Sequence, residues 1–150
     1  MPAGTTYTWN QTAQIISGTL FDSAGLPISG KTIKLLQNGT SLGTTDTDLS
    51  GDYSFTGLTL ASGDKIAVYI SGEIEKGATV TLSGTADITN LDIRQNELIV
   101  RTDNGGAITN ANLREAEGGV ADPDLTAVRS VDPSNVLRRA GELHPGNLDR

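Results

Sequence analysis

Asp46, Asp48, Ser50 and Asp52 fall on alternate positions around Gly51. Calcium is bound by about six to eight oxygen ligands, so an acidic turn with this spacing is a fragment of a calcium-loop pattern. The bidentate glutamate that closes such a loop is missing, because Gly57 stands at that position. Asp, Ser and Gly also stabilise hairpin turns with no ion present. Calcium at Asp46, Asp48 and Asp52 is one expectation and a plain turn is the other. No other cofactor or metal is expected.

The remaining inventory is thin. The chain of 150 residues has no cysteine and a single histidine, His144, in a Pro/Gly tail. Disulfides, thiolate chemistry and Cys-ligated metals are therefore absent together. One His with no Ser at a strained turn beside it gives no triad, so the sequence predicts a protein that is not an enzyme. Asn10-Gln11-Thr12 and Asn38-Gly39-Thr40 match the N-glycosylation pattern, which makes Asn10 and Asn38 candidate acceptors. Asn38 is equally explained by a hairpin turn. A Lys–Asn cross-link needs an inward lysine, and Lys34, between Ile33 and Leu35, should point outward. Glu73, Glu75, Asp87 and Asp92 read as a solvated acidic face. The net charge of -7 disfavours nucleic acid and anionic membranes as partners. No apolar run is long enough to span a bilayer, so membrane insertion is not expected. Met1-Pro2-Ala3-Gly4 lacks the regions of a signal peptide. Export would then imply a removed signal or a segment of a longer chain.

These residues must be positioned by short strands. Gly-rich turns alternate with apolar/polar runs from Ile16 to Arg101, the pattern of a sandwich. Ile16, Gly18 and Leu20 share one face of a first strand. Asp22 to Pro27 turns the chain, and Lys31 to Gln37 then alternates with Ile33 and Leu35 inward. Asn38-Gly39 marks a two-residue hairpin, answered by a return strand over Leu42 to Thr47. Tyr53 and Phe55 alternate with Ser54 and Thr56. Ile66, Val68 and Ile70 form one face of Lys65 to Ile70, and Ala78 to Leu82 repeats that logic. Glu97 to Arg101 supplies a late strand. The expected fold class is all-β, a seven-stranded sandwich of two packed sheets.

Within this block, ISGTLFDSAGLPISGKTIKLLQNGTSLGTTDTDLSGDYSFTGL resembles the carboxypeptidase-regulatory-like, or transthyretin-like (Ig-like), β-sandwich. The matching positions are Asp22, Gly25 and Pro27 in the first turn and Thr47, Asp48, Gly51, Tyr53 and Phe55 in the second motif. The resemblance covers about residues 16 to 70 and indicates fold more than function. It implies a module of the kind repeated in bacterial surface proteins or placed beside enzymes. Leu98 to Leu113 is similar to segments that follow such sandwiches in large repetitive surface proteins.

The sequence divides into an N-terminal strand arm (1–15), the sandwich (16–102) and a C-terminal extension (103–150). On the arm, Tyr7, Trp9, Ala13 and Ile15 share one face, whereas the next strand buries even positions. The phase changes between Ile15 and Ile16, which requires a bulge or a break. The arm is either an extra edge strand of its own sandwich or a strand added to a neighbour's sheet. In the extension, Thr109 or Asn110 could cap a short helix through Glu115 or Ala116, stopped by Gly118-Gly119. Residues 125–139 read as a hairpin around Asp132-Pro133. The extension is expected to pack on the sandwich or on the next subunit.

The leading functional expectation is a structural subunit of an extracellular bacterial fibre, pilus-like filament or surface layer. It would assemble as a head-to-tail homopolymer by β-strand addition, with Tyr7, Trp9, Ala13 and Ile15 as the polymerisation arm. The alternative is a monomeric adhesion or carbohydrate-binding module of a larger cell-surface protein, with surface glycans as partners.

Overall fold

Alternating apolar and polar residues make strands whose two faces differ, and such strands must pair and stack to hide the apolar face. In the computed structural model, which describes residues 13–118 together with 123 and 124, they do so as an all-β sandwich with one short helix. The elements are β1 (Gln14–Phe21), β2 (Thr32–Gln37), β3 (Thr40–Asp46), β4 (Asp52–Leu58), β5 (Lys65–Ile70), β6 (Ala78–Leu82), β7 (Ile93–Arg94), β8 (Leu98–Val100) and α1 (Asn110–Glu117). Three strands form one sheet in the order β4-β1-β7, and five form the other in the order β3-β2-β5-β6-β8. The eighth strand beyond the expected seven is β7, only two residues long and paired parallel to the end of β1. Two residues carry no alternation, so the sequence gives it no signature.

The inner core lies between the sheets. Ile16 and Leu20 of β1 meet Ile33, Leu35, Ile66, Val68 and Ile70 of the larger sheet, with Tyr53 and Phe55 edge to face. Burying an aliphatic side chain of this size contributes about 1.5–3 kcal/mol relative to leaving it in water. The connection to β7 adds Ile88, Leu91 and Ile93, all essentially without solvent contact. It lies so close over β1 that a Cβ on Gly18 would stand 2.2 Å from the Leu91 carbonyl oxygen. Gly18 is therefore a packing requirement rather than a flexible point.

A second core covers the opposite face of the five-stranded sheet. There Leu36, Ala67, Tyr69, Val80 and Leu82, with Leu98 and Val100 of β8, are sealed by Ile108, Leu113 and Ala116. The helix that closes it begins at Thr109, whose hydroxyl accepts the Asn112 N–H at 3.2 Å while the Asn112 side chain accepts the Thr109 N–H at 2.8 Å. This reciprocal cap satisfies two donors that a helix start leaves open. Gly118 ends the helix in the left-handed region at φ 69°. The β2–β3 turn, with Asn38 at φ 52° and Gly39 at φ 82°, abuts that end. A Cβ on Gly39 would fall 2.2 Å from the Gly118 Cα. The hairpin turn and the helix cap thus touch backbone to backbone.

The ladders fix two poles. Thr19 faces Asp52, Thr32 faces Asp46, Ile33 faces Ile70 and Ala78 faces Leu98. The connections 22–31, 47–51 and 71–77 therefore emerge together at a distal pole. Gln14, the Asn38-Gly39 turn and the connection 59–64 lie at the proximal pole.

Candidate functional site

Gln14 opens β1 opposite Leu58, and the register slips there, since Ile16 already faces Phe55. A β-bulge thus sits where the sequence changes phase. It leaves Ile15 38% exposed while Ile16 is fully buried. Both Gln14 and Ile15 belong to β1, so the first strand of the sandwich starts earlier than residue 16. The Gln14 side chain then closes this end of the sheet. Its Oε1 accepts the Leu60 N–H at 3.1 Å, and its Nε2 donates to the Thr85 carbonyl at 2.9 Å. The Ile15 N–H donates to Asp87 Oδ1 at 2.9 Å. Leu60 lies two residues beyond Leu58, opposite the place that residue 12 would take in a longer β1. Of the expected arm residues, Ala13 is exposed. Tyr7 and Trp9 lie outside the described residues, as do Asn10, His144 and the hairpin expected over 125–139.

The acidic turn lies at the distal pole. Asp48 organises it: its Oδ1 accepts the N–H groups of Ser50 at 2.8 Å and Asp52 at 3.0 Å. Asp46 Oδ1 accepts the Thr32 hydroxyl at 2.9 Å, and Asp52 Oδ1 accepts the Thr19 hydroxyl at 2.6 Å. Each carboxylate spends an oxygen on the protein's own turn or ladder. With Ser17, Thr45, Ser54 and Asn90, the three acids rim an open polar concavity of about 500 Å³. Among the described residues no group of three or more His, Cys, Asp or Glu side chains is placed to hold a metal ion.

Asn38 uses both ends of its amide. Oδ1 accepts the Lys65 N–H at 2.8 Å, and Nδ2 donates to Asp64 at 3.1 Å. A glycan on Nδ2 would displace the hydrogen bond to Asp64. Burial pushes the Asp64 carboxyl up, but hydrogen bonds from Ala61, Asn38 and Gln37 and the charge of Lys65 bring it below the ordinary 3.8.

The acids expected to form a solvated face are instead structural clasps. Asp92 Oδ1 accepts the Thr19 N–H at 2.9 Å, and Asp87 holds Ile15 as described. Glu73 and Glu75 lie 3.7 and 3.1 Å from the Lys31 ammonium. Glu73 Oε2 also accepts the Thr32 N–H at 3.3 Å. Their role is to stitch connections to strand ends, which spacing alone does not reveal. Sequence reasoning also missed Arg101, whose guanidinium donates to the carbonyls of Asn90 at 2.7 Å and Thr89 at 3.0 Å and to Asp103. The Tyr53 hydroxyl donates to the Leu91 carbonyl, and burial, followed by the nearby Asp92 charge, drives its pKa far above the ordinary range. Tyr53 is locked in the core and offers no proton for chemistry.

Among the described residues no helix is long and apolar enough to cross a membrane. No protein-family model matches the sequence, and no curated protein matches it. Parts of several solved structures are similar to it. The 3-chlorocatechol 1,2-dioxygenase from Rhodococcus opacus 1CP is similar at 10% identity and TM-score 0.45, over 57% of this chain and 60% of that one. The 5-hydroxyisourate hydrolase of Klebsiella pneumoniae is 18% identical, with TM-score 0.41, over 62% of this chain and 92% of the hydrolase. The shaft pilin SpaA from Lactobacillus rhamnosus GG is 10% identical, with TM-score 0.41, over 65% of this chain and 50% of the pilin. The chain thus spans about 60% of the length of that dioxygenase.

Proposed function

We propose that this chain is a non-enzymatic structural subunit of an extracellular fibre or surface layer of bacterial type. Its subunits join head to tail, each donating the strand around Tyr7, Trp9, Ala13 and Ile15 to a neighbour's sheet. The observation that carries this reading is how β1 begins. Among the described residues its ladder ends at Gln14, and the Leu60 N–H, two residues beyond Leu58, is already taken by the Gln14 side chain. An apolar strand upstream of that point gains more by pairing elsewhere. The open edge of β3 supports the same reading. Among the described residues Thr40–Asp46 lies at the rim of its sheet; it carries no Lys, Arg or Pro, and one register shift at Leu42 interrupts it. An added strand satisfies such an edge, and a contact of this sort that does not close on itself propagates as a filament.

The test is removal of residues 1–12, which leaves all of β1. The expected result is a folded monomer by circular dichroism and size exclusion, while the full chain forms filaments in negative stain. Unchanged assembly of the truncated protein, or a full chain that stays monomeric at high concentration, would sink the proposal. A second reading, a monomeric adhesion or carbohydrate-binding module, is favoured by the polar concavity beside the acidic turn. Binding on a glycan array by a monomeric full-length chain would select it. Calcium at Asp46, Asp48 and Asp52 would appear as a calcium-dependent rise in melting temperature that is lost in Asp48→Asn.

A further inference from the structure

Among the described residues the large apolar side chains left in solvent are few and sorted by pole. Leu26, Leu49 and Ile74 are 62%, 96% and 93% exposed, and Ile15 and Leu42 are 38% and 43% exposed. Leu26, Leu49 and Ile74 sit on the three connections of the distal pole. Ile15 and Leu42 lie toward the proximal end of their strands. Single exposed aliphatics are ordinary on protein surfaces; a division between opposite ends of one sandwich is not.

The distal connections are also laced to one another. The Gly30 N–H donates to the Thr47 carbonyl, the Thr47 N–H to the Lys31 carbonyl, and the Ser71 N–H to the Thr32 carbonyl, each at 2.9 Å. Lys31 ties to Glu73 and Glu75 of the third connection. Leu26, Leu49 and Ile74 are thus carried by one braced cap rather than by independent loops.

We infer that this distal cap is the docking surface for the proximal end of a second copy of the chain. The inference rests on the head-to-tail reading above and names the surface that receives the donor. Asp124 of the chain's own C-terminal extension meets the third connection, accepting the Gly72 N–H at 2.9 Å and pairing with Lys76, while Leu26 and Leu49 stand exposed on the other two. The occupant of these follows from where the chain leaves the sandwich. Residues 1–12, with Tyr7 and Trp9, precede Gln14 at the proximal pole and extend at most about 40 Å. β1 itself spans only about 25 Å. A neighbour stacked end to end therefore has the reach to lay this apolar segment across the cap and along an open edge. The acids around the cap, Asp22, Asp48 and Asp52, argue against an anionic bilayer as the occupant.

The test compares the full-length protein with Leu26→Ser/Leu49→Ser/Ile74→Ser, all exposed positions where the change should leave the melting temperature unaltered. The variant is expected to need at least about tenfold higher concentration to assemble, by sedimentation velocity. Because the chain has no cysteine, Leu49→Cys and Leu42→Cys each introduce a single thiol. A short bismaleimide should join the two variants to each other more than either to itself. If the triple variant assembles like the wild type while removal of residues 1–12 abolishes assembly, the cap inference falls and the strand-donation reading stands. If the wild type never assembles, both fall. Three further results would overturn the cap as a self-docking surface. One is Leu49→Cys joined chiefly to itself. Another is faster labelling of Leu49→Cys once residues 125–150 are removed, which would give the pole to the chain's own C-terminal segment. The last is flotation of the wild type, but not of the triple variant, with phosphatidylcholine vesicles.

Discussion

The two faces of the five-stranded sheet are buried by different means. The inner face meets a second sheet, and the side chains there are large and branched: Ile33, Leu35, Ile66, Val68 and Ile70 against Ile16 and Leu20. The outer face carries Ala67 and Ala78 beside Tyr69 and Val80, and is covered by a single late segment ending in an eight-residue helix. That helix buries only Leu113 and Ala116. Isolated helices of this length do not hold together in water, so its order comes from the sheet beneath it. One core makes the fold, whereas the other is a cover that depends on the fold. Opening the cover should cost less than global unfolding, as local openings do in general.

Four measurements would break or sharpen that contrast. Leu20→Ala, in the inner core, should lower the unfolding free energy by about 3 kcal/mol or more by urea denaturation. Hydrogen exchange should then accelerate in both sheets together. Gly39→Ala should cost about 2 kcal/mol, because it adds a Cβ at positive φ against the Gly118 backbone. Here faster exchange should be confined to α1 and the amides under it. Equal acceleration in β1 and β4 would show that the two cores unfold as one.

Asp103 gives a smaller effect with a pH signature. Burial pushes its carboxyl up, but hydrogen bonds from Arg101 and Thr81 and the Arg101 charge outweigh this and hold it below 3.8. A depressed folded-state pKa means fewer protons bound when folded. Its stabilisation is therefore present above the unfolded value and lost as pH falls through the folded one. Asp103→Asn should cost at most about 1 kcal/mol at neutral pH, since solvent reaches the pair. The cost should vanish in strong acid, where the two denaturation curves converge. Lys65→Gln, which removes the 3.1 Å pair with Glu115, should change stability by only a few tenths of a kcal/mol.

The same contrast explains what the sequence disclosed. Strands facing one core announce themselves by alternation, so β1 and β4 were legible, with Tyr53 and Phe55 correctly inward. β2 shows Ile33 and Leu35 inward but also sends Leu36 to the outer core. The helix was legible too, because Thr109 and Gly118 are local signals. The alternation of β5 and β6 predicts one apolar face, with Tyr69 near the core, yet Ala67, Thr79 and Thr81 are buried as well. Nothing within five or six residues announces that a segment some thirty positions later will cover the other side. Ile88 and Leu91 escaped notice because they lie in a connection without strand periodicity and pack through single bridges and close approach. The acidic turn was legible as a turn. The clasps made by Asp87 and Asp92 join residues 72 and 73 positions apart, and no spacing rule reaches that far.

The place of β1 bears on when the molecule can become complete. It is the middle strand of its sheet, yet it precedes both of its partners in the chain. Its β4 partner runs to residue 58, and its parallel partner β7 ends at Arg94. During synthesis β1 must therefore wait for β4, about thirty residues on, at one edge and for β7, about seventy residues on, at the other. Pairings across such separations close slowly, because chain entropy is spent before the contacts repay it. The strand held longest without partners is also the one that runs directly into Tyr7 and Trp9.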